Sequence, residues 1–93
     1  MHTVISAKDG APRFTMRVFT IQSNCSTPYH AHWWEHEVYV ISGQGLVHTE
    51  QGDHPMQAED VVYVSPEEKH CFVNSGREPL CFVCVIPNLE AHL

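Results

Sequence analysis

The sequence predicts an all-β protein, a sandwich or barrel of short strands. Turn-forming clusters recur about every ten residues, at Asp9-Gly10, Ser23-Asn24, Ser42-Gly43-Gln44-Gly45, Gln51-Gly52-Asp53, Ser65-Pro66 and Asn74-Ser75-Gly76. The runs between them have strand composition, and no window carries a sustained apolar period of 3.6 residues. With 93 residues and 43% hydrophobic content, the chain has room for one domain, 1–93, with one core. A chain this short buries only about 60–65% of the surface its unfolded form exposes, so a bound ion or a partner subunit would add stability.

The elements follow from these boundaries. A first strand is expected over 14–22, between the Asp9-Gly10 and Ser23-Asn24 turns, with Arg17, Phe19 and Ile21 on one face. A second is expected over 30–34 and a third over 36–42, ending at Ser42-Gly43. The strands 46–50 and 54–57 flank the Gln51-Gly52-Asp53 turn, and 60–65 runs into Ser65-Pro66. Ser65-Pro66-Glu67-Glu68 has the cap, proline and third-position glutamate of a helix start. His70 and Cys71-Phe72-Val73 follow so closely that one turn is the most it can form. The strands 70–74 and 80–86 complete the set, the last with Phe82, Cys84 and Ile86 on one face and Cys81, Val83 and Val85 on the other.

Val38-Tyr39-Val40 recurs as Val62-Tyr63-Val64, each before a small-residue turn. Two copies are too few for a solenoid and point to two similar halves of one barrel. The runs Glu37 to Ile41 and Asp60 to Val64 are apolar on both faces, which implies cover on both sides, from a second sheet or a second subunit. A homodimer is the expected assembly.

Five Lys and Arg against eleven Asp and Glu give a formal charge of -6, and Lys8, Arg13, Arg17, Lys69 and Arg77 are dispersed. Nucleic acid is therefore not an expected partner. The N-terminus lacks the apolar core of an export signal, and the longest apolar run, Leu80 to Ile86, is too short to span a bilayer, so a cytoplasmic location is expected. The four cysteines, Cys25, Cys71, Cys81 and Cys84, are then expected as free thiols. Cys81-x-x-Cys84 lies in a strand-like run, where residues three apart face opposite ways, which argues against a redox or zinc motif.

Three histidines fall within seven residues at His30, His32 and His36, and His70 follows the sixth expected strand. On a strand, His30 and His32 project from one face with Cα atoms roughly 6–7 Å apart, close enough to share an ion. An isolated His-x-His pair means little, and His70 alone would read as a loop-end surface residue. The period leaves His36 and Glu37 as alternatives, because both faces of that strand are apolar. His2, His48, His54 and His92 have no comparable framing and are expected to face solvent.

The stretch Pro28-Tyr29-His30-Ala31-His32-Trp33-Trp34-Glu35-His36-Glu37-Val38-Tyr39-Val40-Ile41-Ser42-Gly43 resembles the first motif of the cupins, and Glu59 to Asn74 resembles the second. The resemblance covers roughly residues 14–87 and implies a jelly-roll, or double-stranded β-helix, barrel. Counting back from Gly43, its register selects His36, as in the four-histidine subgroup, over Glu37. His70 and Asn74 match the second motif, while Glu59, Ser65 and Glu67 stand where Gly, Pro and Gly are usual.

What the resemblance implies is one divalent transition metal held by His30, His32, His36 and His70. Imidazole donors suit Zn, Cu, Fe or Ni, and the resemblance adds Mn. Such a set leaves the ion's charge uncancelled and favours an anionic or enolate-like small molecule. Occupancy is expected to fall below the ordinary imidazole pKa of about 6.5. The resemblance also implies that Phe82, Cys84 and Ile86 face the metal cavity. Arg17 is a candidate for a substrate carboxylate, and one of Trp33 and Trp34 for the cavity mouth or the dimer contact. Neither Glu35 nor Glu37 is placed as a general base. The expected function is oxygen-dependent, dioxygenase-type cleavage of a small carbonyl or enol compound. The alternatives are a non-redox isomerase or lyase of a sugar or uronate, and a binding module without turnover.

Overall fold

The computed structural model describes residues 1–89; His92, expected at the surface, lies outside them. Eight strands are present: β1 (His2–Ile5), β2 (Phe14–Ile21), β3 (His36–Ser42), β4 (Gln44–Thr49), β5 (Gly52–Gln57), β6 (Val61–Val64), β7 (His70–Val73) and β8 (Leu80–Pro87). They form two antiparallel sheets, ordered β1-β2-β8-β3-β6 and β5-β4-β7. The two sheets pack face to face as a double-stranded β-helix, the jelly roll that the sequence motifs imply.

Alternation places the core. On β8, Leu80, Phe82, Cys84 and Ile86 are buried while Cys81, Val83, Val85 and Pro87 stay partly exposed. On β3, His36, Val38 and Val40 are buried and Glu37, Tyr39 and Ile41 are exposed. These inward faces meet Ile21, Val47, Met56, Val64 and Phe72 in one apolar cluster. Phe82 is fully buried, stacked on Phe19 at 5.0 Å and tilted against Phe72 at 4.7 Å. Cys81 and Cys84 face opposite ways, and all four cysteines are free thiols.

The repeated Val-Tyr-Val triplets lie on neighbouring strands, since β3 and β6 pair with Val38 opposite Val62. Their tyrosines and Val61 project outward, so the second apolar face of these strands is uncovered within the chain. The turn from β3 to β4 uses Gly43 at φ +89°, where an added Cβ would stand 2.4 Å from the Pro79 carbonyl oxygen. That close approach requires glycine at the end of the first motif.

Two expectations need correction. The segment 30–34 is not a strand: His30 makes a single isolated bridge to His70, and the rest of the segment is loop. Conversely, His2–Ile5 is a strand, paired to β2 at the sheet edge with a register shift between Thr3 and Ile5. All four of its residues are exposed, so it carries no buried alternation that a pattern could reveal. The Pro66-Glu67 region forms a turn only. Glu59 and Glu67, which occupy the usual glycine positions, have φ of 75° and 67°. The fold therefore keeps the left-handed turns without the residue that favours them, at roughly 1–2 kcal/mol each.

Candidate metal centre

Three separate elements deliver the four imidazoles to one end of the barrel interior. His36 is the first residue of β3 and, with Val38 and Val40, points inward; Glu37 points out. Of the two residues that periodicity left open, His36 is therefore the one on the inward face. Glu37 instead shares a hydrogen bond with Glu35, which together with partial burial raises its carboxyl pKa. His70 opens β7 and is buried.

His30 and His32 reach the cluster through long-range hydrogen bonds rather than a strand. The His30 and His70 backbones exchange N–H donors at 3.1 and 3.0 Å, and the Glu67 N–H donates to the His32 carbonyl at 2.6 Å. Both imidazoles are thereby held against the opposite motif. The His32 ring then stacks on Trp34 at 4.1 Å with an interplanar angle of 8°. Of the tryptophan pair, Trp34 packs against the core and Trp33 is exposed.

Ring centroids are 4.2 Å apart for His30 and His32, 5.4 Å for His32 and His36, and 4.8 Å for His36 and His70. The His30–His70 and His32–His70 separations are 5.7 and 6.1 Å. Imidazoles bound to one ion at about 2.1 Å place their centroids roughly 4.5–6.4 Å apart. Four of the five spacings fall in that range, and the His30–His32 pair would have to open slightly. Among the described residues, no set of three or more His, Cys, Asp or Glu donors is already closed around a point, so the rings would turn to meet an ion.

Two details fit an absent electrophile. The His70 Nδ1–H donates to the Glu68 carbonyl at 2.9 Å, which leaves the Nε2 lone pair for a ligand. His36 contacts the Cys84 thiol through Nδ1 at 3.3 Å, and its buried Nε2 has no hydrogen-bond partner. A buried polar atom left in that state costs about 1–3 kcal/mol.

Burial lowers the pKa of His36 to about 3 and of His32 to about 4, with the neighbouring imidazoles and Arg17 adding to it. His30 moves the same way, for the same first reason. The onset of proton competition expected near 6.5 is therefore displaced downward for these three. Burial also raises the Cys84 thiol, opposed by Arg17.

Arg17 stands opposite Cys84 on the paired strand and shares its inward side. Its Nη2 donates to Cys84 Sγ at 3.7 Å and its guanidinium carbon lies 5.1 Å from the Phe19 ring centre, while its Nε is buried without a partner. Phe82 and Ile86 line the interior of β8 as expected. His2, His48 and His54 are exposed, and His48 pairs with Asp53. No helix among the described residues is long and apolar enough to cross a membrane.

A jelly roll with inward histidines contributed by two conserved-type sequence motifs defines the cupin class. The family model described as the cupin domain matches residues 17–86, and the chain belongs to that family. It is 36% identical over 62 residues to an oxalate-binding protein of Thermotoga maritima, covering 66% of this chain and 51% of that protein. It is 39% identical over 70 residues to a glucose-6-phosphate isomerase of Pyrococcus abyssi, covering 69% of this chain and 37% of that one. The polyketide cyclase RemF of Streptomyces resistomycificus superposes with a TM-score of 0.85 at 33% identity, over 91% of this chain and 61% of the cyclase. The chain thus spans about half or less of the curated relatives named here.

Proposed function

We propose that the chain is a mononuclear metal-binding cupin, with His30, His32, His36 and His70 as ligands to a divalent transition metal. Its reaction is proposed as dioxygenase-type cleavage of a small carbonyl or enol compound. One observation carries this reading. The charges that bear on His30, His32 and His36 come from other imidazoles and Arg17, with no carboxylate among them. Among the described residues no carboxylate is set against these three imidazoles as a general base, so the chemistry is assigned to the ion and its ligand.

When bound, the metal supplies Lewis acidity and, if it is iron or manganese, redox chemistry toward dioxygen. The chain's own residues do the rest. Four neutral donors leave the ion's charge intact, which favours an enolate or carboxylate oxygen. The Glu68 carbonyl orients His70, and Cys84, in the tautomer that accepts Nδ1–H, orients His36. Phe72, 5.7 Å from the His70 ring and 4.7 Å from Phe82, gives that side of the cluster an apolar wall.

The test compares iron-, manganese- and zinc-loaded protein against diketones, catechols and alkenes, with oxygen uptake and mass spectrometry. Oxygen-dependent product with iron or manganese supports the proposal. Activity kept with zinc under anaerobic conditions would reassign the chain to the isomerase or lyase class. Tight ligand binding without product would favour the second reading, a binding module, which the similarity to an oxalate-binding protein supports. A second copy is proposed to cover the outer face of β3 and β6, where Val61 and Tyr63 are 77% and 60% exposed. Sedimentation at micromolar concentration should return a dimer.

A further inference from the structure

Arg17 carries a positive charge that the protein leaves uncompensated beside the imidazole cluster. The strand order β2-β8-β3 sets three inward side chains in a row: Arg17 stands opposite Cys84, Cys84 opposite Val38, and His36 lies two residues before Val38 on the same face. The contacts follow that row. Arg17 Nη2 donates to Cys84 Sγ at 3.7 Å, and the same sulfur lies 3.3 Å from His36 Nδ1. One sulfur atom therefore stands between the guanidinium and a proposed metal ligand.

What holds the guanidinium is neutral. Besides the thiol it has the Phe19 ring, whose centre lies 5.1 Å from its central carbon, and its buried Nε has no acceptor. A charge withdrawn from water is ordinarily met by an opposite one, because burial without a partner is costly. Among the described residues the ion pairing found joins His48 to Asp53, and no carboxylate pairs with Arg17. The cavity of about 600 Å³ that Arg17 lines adds a second cation, Lys8, and one carboxylate, Asp9, which accepts from the Ser6 backbone N–H as a local cap. None of the four imidazoles lines that cavity, so Arg17 acts on them through Cys84 and through its field.

We propose that Arg17 is an electrostatic tuning residue, whose fixed positive charge weakens the hold of the histidine set on a divalent ion. This rests on the metal-binding reading above and adds to it the group that sets how tightly the ion is kept. A guanidinium stays protonated at any working pH, so the effect does not titrate away. At about 10 Å and an effective dielectric of about 20, one unit charge shifts the binding of a divalent ion about a hundredfold. Arg17 is half-buried, and solvent screening reduces that to about tenfold. An ion held this way exchanges more readily and polarises an oxygen ligand more strongly.

The test measures zinc(II) and manganese(II) affinity by competition with a chelator, on metal-stripped wild type, Arg17→Gln and Arg17→Lys. Arg17→Gln removes the charge and should bind both ions about tenfold tighter. Arg17→Lys keeps the charge and should stay within about twofold of wild type. A residue that merely braced the site would give the opposite sign, since its loss would loosen binding. Thr15 lies on the same face of β2, two residues from Arg17, and lines the same cavity. Thr15→Glu brings a counter-charge and should also tighten binding, whereas Thr15→Gln should not, and this pair is the readout if Arg17→Gln fails to fold. Unchanged or weaker binding in Arg17→Gln, or in its place no tightening by Thr15→Glu, overturns the proposal, as does Arg17→Lys tightening as much as Arg17→Gln. Wild type that binds neither ion overturns the metal-binding reading and the proposal with it. Stoichiometric binding by wild type without tightening in the variants overturns the proposal alone.

Discussion

The depressed pKa of His36 makes the metal-free fold acid-sensitive in a window that can be assigned to one residue. Above the unfolded imidazole value of 6.5 the ring is neutral in both states and contributes no pH dependence. As pH falls below 6.5 the unfolded chain takes up a proton that the native ring refuses until about pH 3, so native stability declines across that interval. His36 is only 3% exposed, so solvent screening takes little from the effect. At about 1.4 kcal/mol per pKa unit, acidification from pH 6.5 to pH 4 removes roughly 3 kcal/mol. His32 adds less, because it is only partly buried. A domain of this size has about 5–14 kcal/mol of stability, so the loss is large, equivalent to a urea midpoint lower by about 1–3 M. The assay is urea unfolding of chelator-treated wild type and His36→Gln at several values between pH 7 and pH 4. Carboxylates titrate alike in both proteins, so the difference isolates the imidazole. Wild type should lose about 3 kcal/mol more than the variant over this range. Parallel stability profiles would refute the assignment.

The remaining predictions use single substitutions. Replacing His30, His32, His36 or His70 by Ala should each lower metal content by elemental analysis, whereas His48→Ala, at an exposed residue paired with Asp53, should leave it unchanged. Asn74 is buried, donates to the Ile21 and Glu78 carbonyls at 2.8 Å, and accepts from the Gly76 N–H at 2.8 Å. Asn74→Ala removes all three bonds and should cost about 3 kcal/mol in chemical denaturation; a loss under about 1 kcal/mol would mean that water replaces them. Glu59→Gly and Glu67→Gly relieve left-handed backbone and should each stabilise by about 0.5–1 kcal/mol after glycine's entropic penalty, read as a raised thermal midpoint.

The β elements were legible because a strand's signal is local. The alternation of Leu80 through Pro87 and the turn clusters on either side lie within a few residues, and the structure places β8 and β3 at the expected positions. Edge strand β1 was not legible, since its exposed residues follow no burial period and it exists through pairing with β2. Spacing alone singled out the cluster without fixing its members, and the set of four came from its likeness to the cupin motifs. The reason offered for His30 and His32 was wrong, because their approach depends on the His30–His70 bridge and the Glu67–His32 hydrogen bond.

Sequence by itself determined an all-β barrel or sandwich, through patterns a few residues long, and its likeness to the cupin motifs implied the jelly roll and the set of four imidazoles. Tertiary structure decided which of His36 and Glu37 turns inward, and which tryptophan stacks on His32. It also left Arg17 desolvated against Cys84 and Phe19 with an unmet donor. Desolvation and charge proximity arise between residues distant in the chain, and no local pattern encodes them.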